Sequence, residues 1–248
     1  MNDKNFENES LKRTFKKDGV VVVKKLLNKK LVLDCKKSIE KFDDYLLPKS
    51  LDHAVFDEVE GIEVIKYFQH LQIYIPQFLK LYNSRILNFA SFLLEQNVNF
   101  SPMGLHNKAP KIGTFTPYHQ DNFYSCMTPP DFVTAYVPLV KMTPENGGLI
   151  YIRESHLDGV KKHYLSKTKG FSSGIDEKII NFNNMYQPPM EPGDVVFHHG
   201  NIIHGAGINN SNKNRLAVAV GVYGQKTKID KKLKLQYEKL RKKNRSSD

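Results

Sequence analysis

The sequence predicts a mainly β protein with flanking helices, an α+β chain built on a jelly-roll core. Two observations lead to this prediction. Helical patterns are concentrated in the N-terminal part, whereas short β-branched segments separated by Pro and Gly turns follow from about residue 99. No amphipathic helix is predicted between these short segments, which favours a sandwich or jelly roll over a parallel sheet.

The N-terminal part is expected to hold one strand followed by helices. Residues 18–26, DGVVVVKKL, form a β-branched run that opens with Asp-Gly and predicts the strand. Two helices are predicted because apolar side chains recur every three or four residues. The first follows the potential N-cap Asn28, and its apolar stripe is Val32, Cys35, Ile39 and Phe42. The second covers 84–95, with the stripe Ile86, Phe89, Ala90 and Leu93.

The β-rich part contains four clear strand patterns. Each is dominated by Val, Ile, Leu, Tyr or Phe, and turn residues bound it. The predicted strands are 131–140, 148–153, 193–199 and 215–223. Because no repeat or low-complexity linker interrupts the chain, we expect residues 1–224 to form a single domain, with the jelly-roll core beginning at about residue 99.

Two further segments are assigned separately. Residues 157–190 are long and weakly patterned, and we expect them to form a lid whose lysines face an incoming anionic substrate. The basic tail 225–248 carries Ile229, Leu233, Tyr237 and Leu240 on one helical stripe. It is therefore predicted to be a helix docked loosely at the edge of the site, and removal of 241–248 is expected to leave turnover nearly intact.

Composition excludes several classes of protein. The 248 residues contain no apolar run of about 20 residues, so no membrane span is expected. The polar N-terminus shows no apolar signal segment, and two isolated cysteines make no disulfide framework, so a cytoplasmic location is expected. The net charge is +11, of which residues 225–248 contribute +7 from ten Lys and Arg against three Asp and Glu. A solvated basic tail is favoured over a nucleic-acid contact.

A His-x-Asp pair, His119 and Asp121, lies in the stretch TPYHQDNFY. Two explanations compete, a surface ion pair and a metal site. A third ligand is available downstream in PGDVVFHHGNIIHGAG, where His204 is expected in a Gly-flanked loop after a strand. Two histidines and one carboxylate form the facial triad of non-haem Fe(II) oxygenases, which leaves coordination positions open for other ligands.

Arg215 opens a predicted strand eleven residues after His204. Alternate residues of a strand share a face, so Arg215 lies on the same face as Ala217, Ala219 and Gly221. One guanidinium among small side chains leaves room for a ligand and can hold a carboxylate through two parallel hydrogen bonds. The distal carboxylate of 2-oxoglutarate needs such a partner, whereas a surface ion pair or a structural metal site does not.

The order HQD, TPENGGLIYIRESH, PGDVVFHHGNIIHGAG and then Arg215 resembles the phytanoyl-CoA dioxygenase family of Fe(II)- and 2-oxoglutarate-dependent oxygenases. The resemblance extends more weakly to residues 15–32. It implies a double-stranded β-helix, the cupin-like form of the jelly roll. It places the Fe(II) ligands on His119, Asp121 and His204, and the 2-oxoglutarate carboxylate on Arg215.

Other residues are weaker candidates. Strand alternation could aim Thr116, Lys108 and Thr134 at the cosubstrate. Aromatic and neighbouring side chains that could wall a substrate pocket are Phe123, Tyr124, Cys126 and Tyr136, although core packing is the alternative for each. His198 and His199 are expected to be structural or to support the metal ligands.

The resemblance implies a dioxygenase that hydroxylates an unactivated C–H bond of a small organic substrate and releases succinate and CO2. The positive charge favours an anionic substrate. Desaturation and ring closure stay open, and so do two other classes of function. One is a jelly-roll protein that binds metal without turnover, and the other is an oxidative demethylase of nucleic acid.

Overall fold

The computed structural model describes residues 3–45, 53–59, 61–81, 85–111 and 114–245, and it confirms a mainly β fold with flanking helices. The helices in these ranges are α1 (Asp3–Asp18), α2 (Lys29–Tyr45), α3 (Leu71–Tyr74), α4 (Leu79–Leu81), α5 (Leu87–Leu94), α6 (Asp121–Ser125) and α7 (Lys231–Arg245). The strands are β1 (Val20–Val23), β2 (Ala54–Val59), β3 (Ile62–Phe68), β4 (Val98–Phe100), β5 (Gly104–Lys108), β6 (Thr116–His119), β7 (Met127–Thr128), β8 (Phe132–Pro138), β9 (Leu149–Ile152), β10 (Tyr164–Leu165), β11 (Ser173–Gly174), β12 (Met185–Tyr186), β13 (Val195–His199), β14 (Ile203–Ala206), β15 (Arg215–Gly224) and β16 (Lys228–Ile229).

The strands form two main antiparallel sheets. The larger sheet has the order β1-β13-β8-β15-β5-β3-β2, with β4 added to β15, and the smaller has the order β12-β9-β14-β6. Tyr151 and Ala206 of the smaller sheet pack in one buried cluster with Tyr136, Val196 and Ala217 of the larger. The two sheets therefore face each other across a shared interior, as in the predicted jelly roll.

The central strand β15 separates the hydrophobic core from this interior. Val218, Val220 and Val222 are buried in the main core together with the helices. Each such burial stabilises the fold by roughly 1.5–3 kcal/mol. Ala219 and Gly221 lie on the opposite face, where they line a cavity between the sheets. The predicted division of β15 into a core face and a small-residue face is confirmed.

The predicted helices α2 and α5 pack on the larger sheet. Asn28 caps α2, since its Oδ1 accepts a hydrogen bond from the Lys30 amide at 2.8 Å. In α5, Phe89 contacts Phe197 of β13, with ring centroids 5.0 Å apart. The apolar stripes of both helices are buried as expected, with Val32, Cys35, Ile39, Phe42, Ile86, Phe89, Ala90 and Leu93 in the core.

The prediction of a single early strand is wrong. Strands β2 and β3 form a hairpin, with Val59 paired to Ile62, and Tyr67 of β3 pairs with His106 of β5. Gly61 has φ +80°, which the tight connection requires and glycine adopts readily. Gly61 between two segments of alternating polarity is a weak sequence signal of this hairpin.

The C-terminal tail is a helix that begins later than its apolar stripe suggests. Asp230 Oδ1 accepts hydrogen bonds from the amides of Lys232 and Leu233 at 2.9 and 3.0 Å and so caps α7. Ile229 is in β16, paired with Met127 of β7, and is not part of the helical stripe. Within the described ranges, no helix is both long and apolar enough to cross a bilayer.

Candidate active site

Three candidate metal ligands meet at the edge of the smaller sheet. His119 is the last residue of β6, and His204 pairs with it directly across the sheet in β14. Asp121 follows as the first residue of α6. His204 was expected in a loop but lies in a strand, because β14 is hydrogen-bonded on both sides. Gly205 allows this pairing, since a Cβ there would lie 2.9 Å from the Thr116 carbonyl oxygen.

The donor atoms of these residues converge. The Nε2 atoms of His119 and His204 each lie 3.6 Å from Asp121 Oδ1. All three donor atoms lie within 4.8 Å of one another, and no other group of three such residues was found in the described part of the chain. A divalent ion placed between them would have one carboxylate and two imidazole ligands.

Hydrogen bonds fix the orientation of both imidazoles. Nδ1 of His119 donates to the Pro117 carbonyl at 2.7 Å, and Nδ1 of His204 donates to the Ile202 carbonyl at 3.2 Å. Because each Nδ1 carries the proton, each Nε2 presents a lone pair toward Asp121. This tautomer is the one that metal-binding histidines use.

The carboxylate is held just as firmly. Thr134 donates a hydrogen bond to Asp121 Oδ2 at 2.5 Å, and His198 Nε2 donates to the same oxygen at 3.0 Å. His198 in turn accepts at Nδ1 from the Tyr151 hydroxyl, 3.2 Å away. Oδ1 is thereby left facing the two other donors, so Thr134 and His198 act through Asp121.

The surroundings favour the protonation states that a metal needs. Burial raises the pKa of Asp121, but the proximity of His204 and the hydrogen bond from His198 outweigh it, leaving this pKa well below its ordinary value. Burial, followed by the proximity of His119, holds the pKa of His204 well below its ordinary range. At neutral pH the site therefore offers a carboxylate and a neutral imidazole.

Arg215 lies in the same cavity, which has a volume of about 760 Å³. Its side chain is 2% exposed. Nη1 donates to the Tyr136 hydroxyl, whereas the buried Nε has no hydrogen-bond partner among the described residues. A buried donor without a partner costs free energy, and an anion that accepts a hydrogen bond from Nε would remove that cost.

Two more basic side chains stand beside Arg215. Lys108 is directly opposite it in the β5–β15 pair, and its ammonium donates to the Thr114 carbonyl. Lys66 of β3 pairs with Asp57 at 3.3 Å and also contacts Thr114. Burial, then Arg215 and Lys66, lowers the pKa of Lys108 to about 6. At neutral pH Arg215 therefore supplies most of the positive charge that an arriving anion meets here, and the anion would favour the protonated form of Lys108.

His106 was missed by the sequence analysis. It lies two residues before Lys108 on β5, so both side chains occupy the face that Arg215 shares. Burial, followed by the proximity of Arg215, lowers the pKa of His106 to about 3, which makes it a neutral side chain of the cavity wall. The i, i+2 spacing of His106 and Lys108 is a signal that could have found it.

The remaining predicted site residues divide into two groups. Those that line the cavity are Thr116, Thr134, Tyr124, Tyr136 and Lys108. Phe123 and Cys126 do not line it. Phe123 is a buried residue of α6 and stacks on His163, with ring centroids 3.9 Å apart. The Cys126 thiol donates to the Phe123 carbonyl. Successive residues of the short helix α6 point in different directions, so Tyr124 faces the cavity while Phe123 faces the interior.

Gln120, between the two ligands of the His-x-Asp pair, is completely buried. Its amide nitrogen donates to the carbonyls of Gly159 and Asn201 at 2.8 and 2.5 Å, and its Oε1 accepts from the Lys161 amide at 2.7 Å. The Gln120 backbone amide donates to His163 Nε2 at 3.2 Å. This one side chain ties the ligand-bearing turn to the beginning of segment 157–190.

Segment 157–190 covers the site with a short hairpin. Phe171 packs against His119, with ring centroids 5.2 Å apart. The Tyr124 hydroxyl donates to the Ser173 carbonyl at 2.7 Å. The end of the segment joins the smaller sheet as β12. The segment is therefore fastened at both ends, and the stretch 166–172 between β10 and β11 forms the tip of the hairpin, where Phe171 contacts His119.

The lysines of this segment were expected to face an incoming substrate, but none of them lines the cavity. Lys161 pairs with Asp158 at 2.9 Å, and the Lys162 ammonium lies 4.9 Å from the centroid of the Tyr164 ring. The outer wall is formed instead by Phe171 and by two residues of α7, Tyr237 and Arg241.

Known proteins are similar to this chain in sequence and in fold. The profile of the family described as Phytanoyl-CoA dioxygenase (PhyH) matches residues 15–217. A probable phytanoyl-CoA dioxygenase of Caenorhabditis elegans is 33% identical over 122 residues, which cover 46% of this chain and only 39% of that protein. The 1-deoxypentalenic acid 11-beta-hydroxylase of Streptomyces arenae is 25% identical over 221 residues, covering 80% of this chain and 74% of that one.

Among solved structures, EctD from S. alaskensis with 2-oxoglutarate and 5-hydroxyectoine superimposes with a TM-score of 0.74. The match covers 93% of this chain and 78% of EctD at 18% identity, which establishes a common fold. EctD has also been crystallised with bound Fe. The family profile spans most of the chain, including all three candidate ligands and Arg215. We conclude that this chain belongs to the phytanoyl-CoA dioxygenase family.

Proposed function

We propose that this protein is an Fe(II)- and 2-oxoglutarate-dependent dioxygenase that hydroxylates an unactivated C–H bond of a small organic anion. The proposal rests mainly on one observation: three donor atoms suited to Fe(II) and a buried arginine with an unpaired Nε share one cavity. Family membership and the fold shared with EctD support it.

The residues fit an Fe(II) ion. Two neutral imidazole nitrogens and one carboxylate oxygen are the donor set of non-haem iron oxygenases. His119, Asp121 and His204 would hold the metal. Each ligand residue makes a hydrogen bond through its second nitrogen or oxygen, the one that does not face the metal site. This bond fixes the orientation of the donor atom and strengthens metal binding.

The residues also fit 2-oxoglutarate, which carries two carboxylates. Arg215 would bind the carboxylate distant from the keto group, through Nε and the terminal nitrogens, and Lys108 would stand beside it. Arrival of an anion would favour the charged form of Lys108. Ala219 and Gly221 leave the space that the cosubstrate needs on this face of β15.

When bound, the metal with 2-oxoglutarate and dioxygen supplies the oxidant that converts R–H to R–OH while 2-oxoglutarate becomes succinate and CO2. The chain itself binds, orients and shields. Thr134 and His198 keep Asp121 aligned, and Tyr136 steadies Arg215. Phe171 covers His119 and helps to exclude water from the site.

Succinate release is the direct test. The purified protein with Fe(II), ascorbate and 2-oxoglutarate is assayed for succinate with and without each member of a panel of small organic acids, and products are examined by mass spectrometry. We expect stimulated succinate release with at least one acid and a product heavier by one oxygen atom. Asp121→Ala serves as the inactive control.

The same assay separates the other functions. A protein that binds iron stoichiometrically but never consumes 2-oxoglutarate would be a metal-binding protein without turnover, and the proposal would be wrong. Formaldehyde release from methylated oligonucleotides, with no reaction of the organic acids, would indicate a nucleic-acid demethylase.

A further inference from the structure

The outer wall of the active-site cavity carries a cation that the proposed chemistry does not use. Arg241 of α7 lines the same cavity as His119, Asp121 and His204. It lies outside residues 15–217, the part matched by the family profile. Arg241 is therefore not among the features that the family profile describes.

Contacts between aromatic rings connect the metal site to Arg241. The Tyr124 ring lies 5.8 Å from the His119 ring, and the Tyr237 ring lies 5.6 Å from the Tyr124 ring. Tyr237 and Arg241 are four residues apart on α7 and so share one face of the helix. Two ring contacts and one helical turn of about 5.4 Å therefore separate the guanidinium from the His119 ring, a span that an elongated molecule can bridge.

The charges of the cavity wall leave Arg241 available. The acidic residues that line the cavity are Asp57 and Asp121. Asp57 pairs with Lys66, and Asp121 faces the histidines. Arg215 and Lys108 lie together at the inner end, where the proposed cosubstrate would neutralise them. In the described part of the chain, no hydrogen bond or ion pair engages the Arg241 side chain.

We propose that Arg241 determines substrate specificity by binding the anionic group of an elongated organic substrate, while the carbon to be oxidised lies beside His119. This inference rests on the proposed dioxygenase function. The substrate lies along Tyr124 and Tyr237, whose rings offer apolar contact, and its anion ends at the guanidinium. This assignment replaces the expectation that residues 241–248 could be removed with little effect on turnover.

Pairs of a charged carboxylate and its uncharged methyl ester test the assignment. The full-length protein, loaded with Fe(II) and 2-oxoglutarate under argon, is titrated calorimetrically with saturated monocarboxylates from hexanoate to tetradecanoate. Each acid is compared with its methyl ester. The variants are Arg241→Gln and, as a matched control, Lys239→Gln. Lys239 is exposed on the same helix and carries the same charge, but it does not line the cavity.

We expect the unmodified protein to bind at least one acid about tenfold more tightly than its ester, a difference typical of one charged hydrogen-bonded contact. Arg241→Gln should bind acid and ester alike, and Lys239→Gln should keep the preference. The inference is overturned if Arg241→Gln retains the preference, if Lys239→Gln loses it equally, or if no acid binds more tightly than its ester.

Failure of this inference can be told apart from failure of the proposed function. Succinate release by the unmodified protein is measured in parallel. Absence of any 2-oxoglutarate consumption would reject the dioxygenase, whatever Arg241 binds. Normal consumption together with unchanged discrimination in Arg241→Gln would reject only the role of Arg241.

Discussion

The two ends of the active-site cavity are built differently. At the inner end, His119, His204 and Arg215 lie on sheet strands and are at most 6% exposed. At the outer end, Arg241 is exposed on a helix, and Phe171 sits at the tip of a short hairpin. The inner residues are held by several hydrogen bonds, whereas ring packing is the main contact at the outer end. On the proposed function, the chemistry that needs fixed geometry lies on the sheet, and substrate selection lies on a helix and a hairpin outside it.

The largest effect is expected from removing an inner ligand. His204→Ala leaves two donors, which cannot hold the metal in the facial arrangement, so turnover should disappear and iron uptake should fall severely. Inductively coupled plasma analysis and succinate release measure the two losses. His53→Ala, a histidine outside the cavity, is the control. Full activity of His204→Ala would disprove the ligand assignment.

Arg215→Ala should be the next most severe change. Truncating one partner of a buried charged pair costs roughly 2–5 kcal/mol, so the apparent constant for 2-oxoglutarate should rise about 30-fold or more. Steady-state kinetics over a range of 2-oxoglutarate concentrations measure this. Lys213→Ala removes an exposed cation two residues away and should change little. An unchanged apparent constant for 2-oxoglutarate, with iron still bound, would show that another residue binds the carboxylate.

Thr134→Val tests whether the inner end is as rigid as its hydrogen bonds suggest. The substitution keeps the shape but removes the donor to Asp121 Oδ2. Loss of such a support typically lowers metal affinity about tenfold or more. Competition with a chelator measures this, with Thr143→Val as the control. Equal affinities would mean that His198 alone suffices to orient the carboxylate.

Lys108→Met should make the protein without cosubstrate more stable. Burial, then Arg215 and Lys66, lowers the pKa of Lys108 from 10.5 to about 6. Between these values the unfolded state binds one proton more than the folded state, so the free energy of unfolding rises with pH. The variant lacks this dependence and should gain on the order of 5 kcal/mol near neutral pH, with the gain vanishing above about pH 10.

Urea unfolding near pH 7 and near pH 10 measures the effect of Lys108→Met, with the exposed Lys228→Met as the control. A gain that is the same at both pH values would show that Lys108 stays protonated in the folded protein. In that case Lys108 is positively charged whether or not the cosubstrate is bound.

The smallest effect is expected at the hairpin tip. Trypsin should cut first at Lys167 or Lys169, within 166–172, because the flanks of the segment are fastened. Mn(II) with 2-oxoglutarate should slow the cut several-fold without allowing turnover. Gel analysis of the time course measures this. Equal cleavage with and without these ligands would make the tip a fixed part of the fold, and the lid hypothesis would fail.

The sequence predicts the inner end far better than the outer end. His119 and Asp121 are two residues apart, and Arg215 begins a strand whose alternation is visible, so local pattern suffices. The contact of Tyr237 with Tyr124 joins residues more than a hundred positions apart, and no local periodicity reports it. The β2–β3 hairpin is hard to predict for another reason, because the sequence between its strands lacks the Asn-Gly or Asp-Gly pair that marks a two-residue hairpin loop.

Gln120 couples segment 157–190 thermodynamically to the candidate metal ligands. Because its side chain holds both the His-x-Asp turn and the start of segment 157–190, a shift of either one disturbs bonds that the other needs. Any ligand that favours one arrangement of the turn must favour the matching arrangement of the segment, and by reciprocity to the same degree. Loading the metal would then slow hydrogen exchange at the Lys161 amide, although that amide touches no ligand atom.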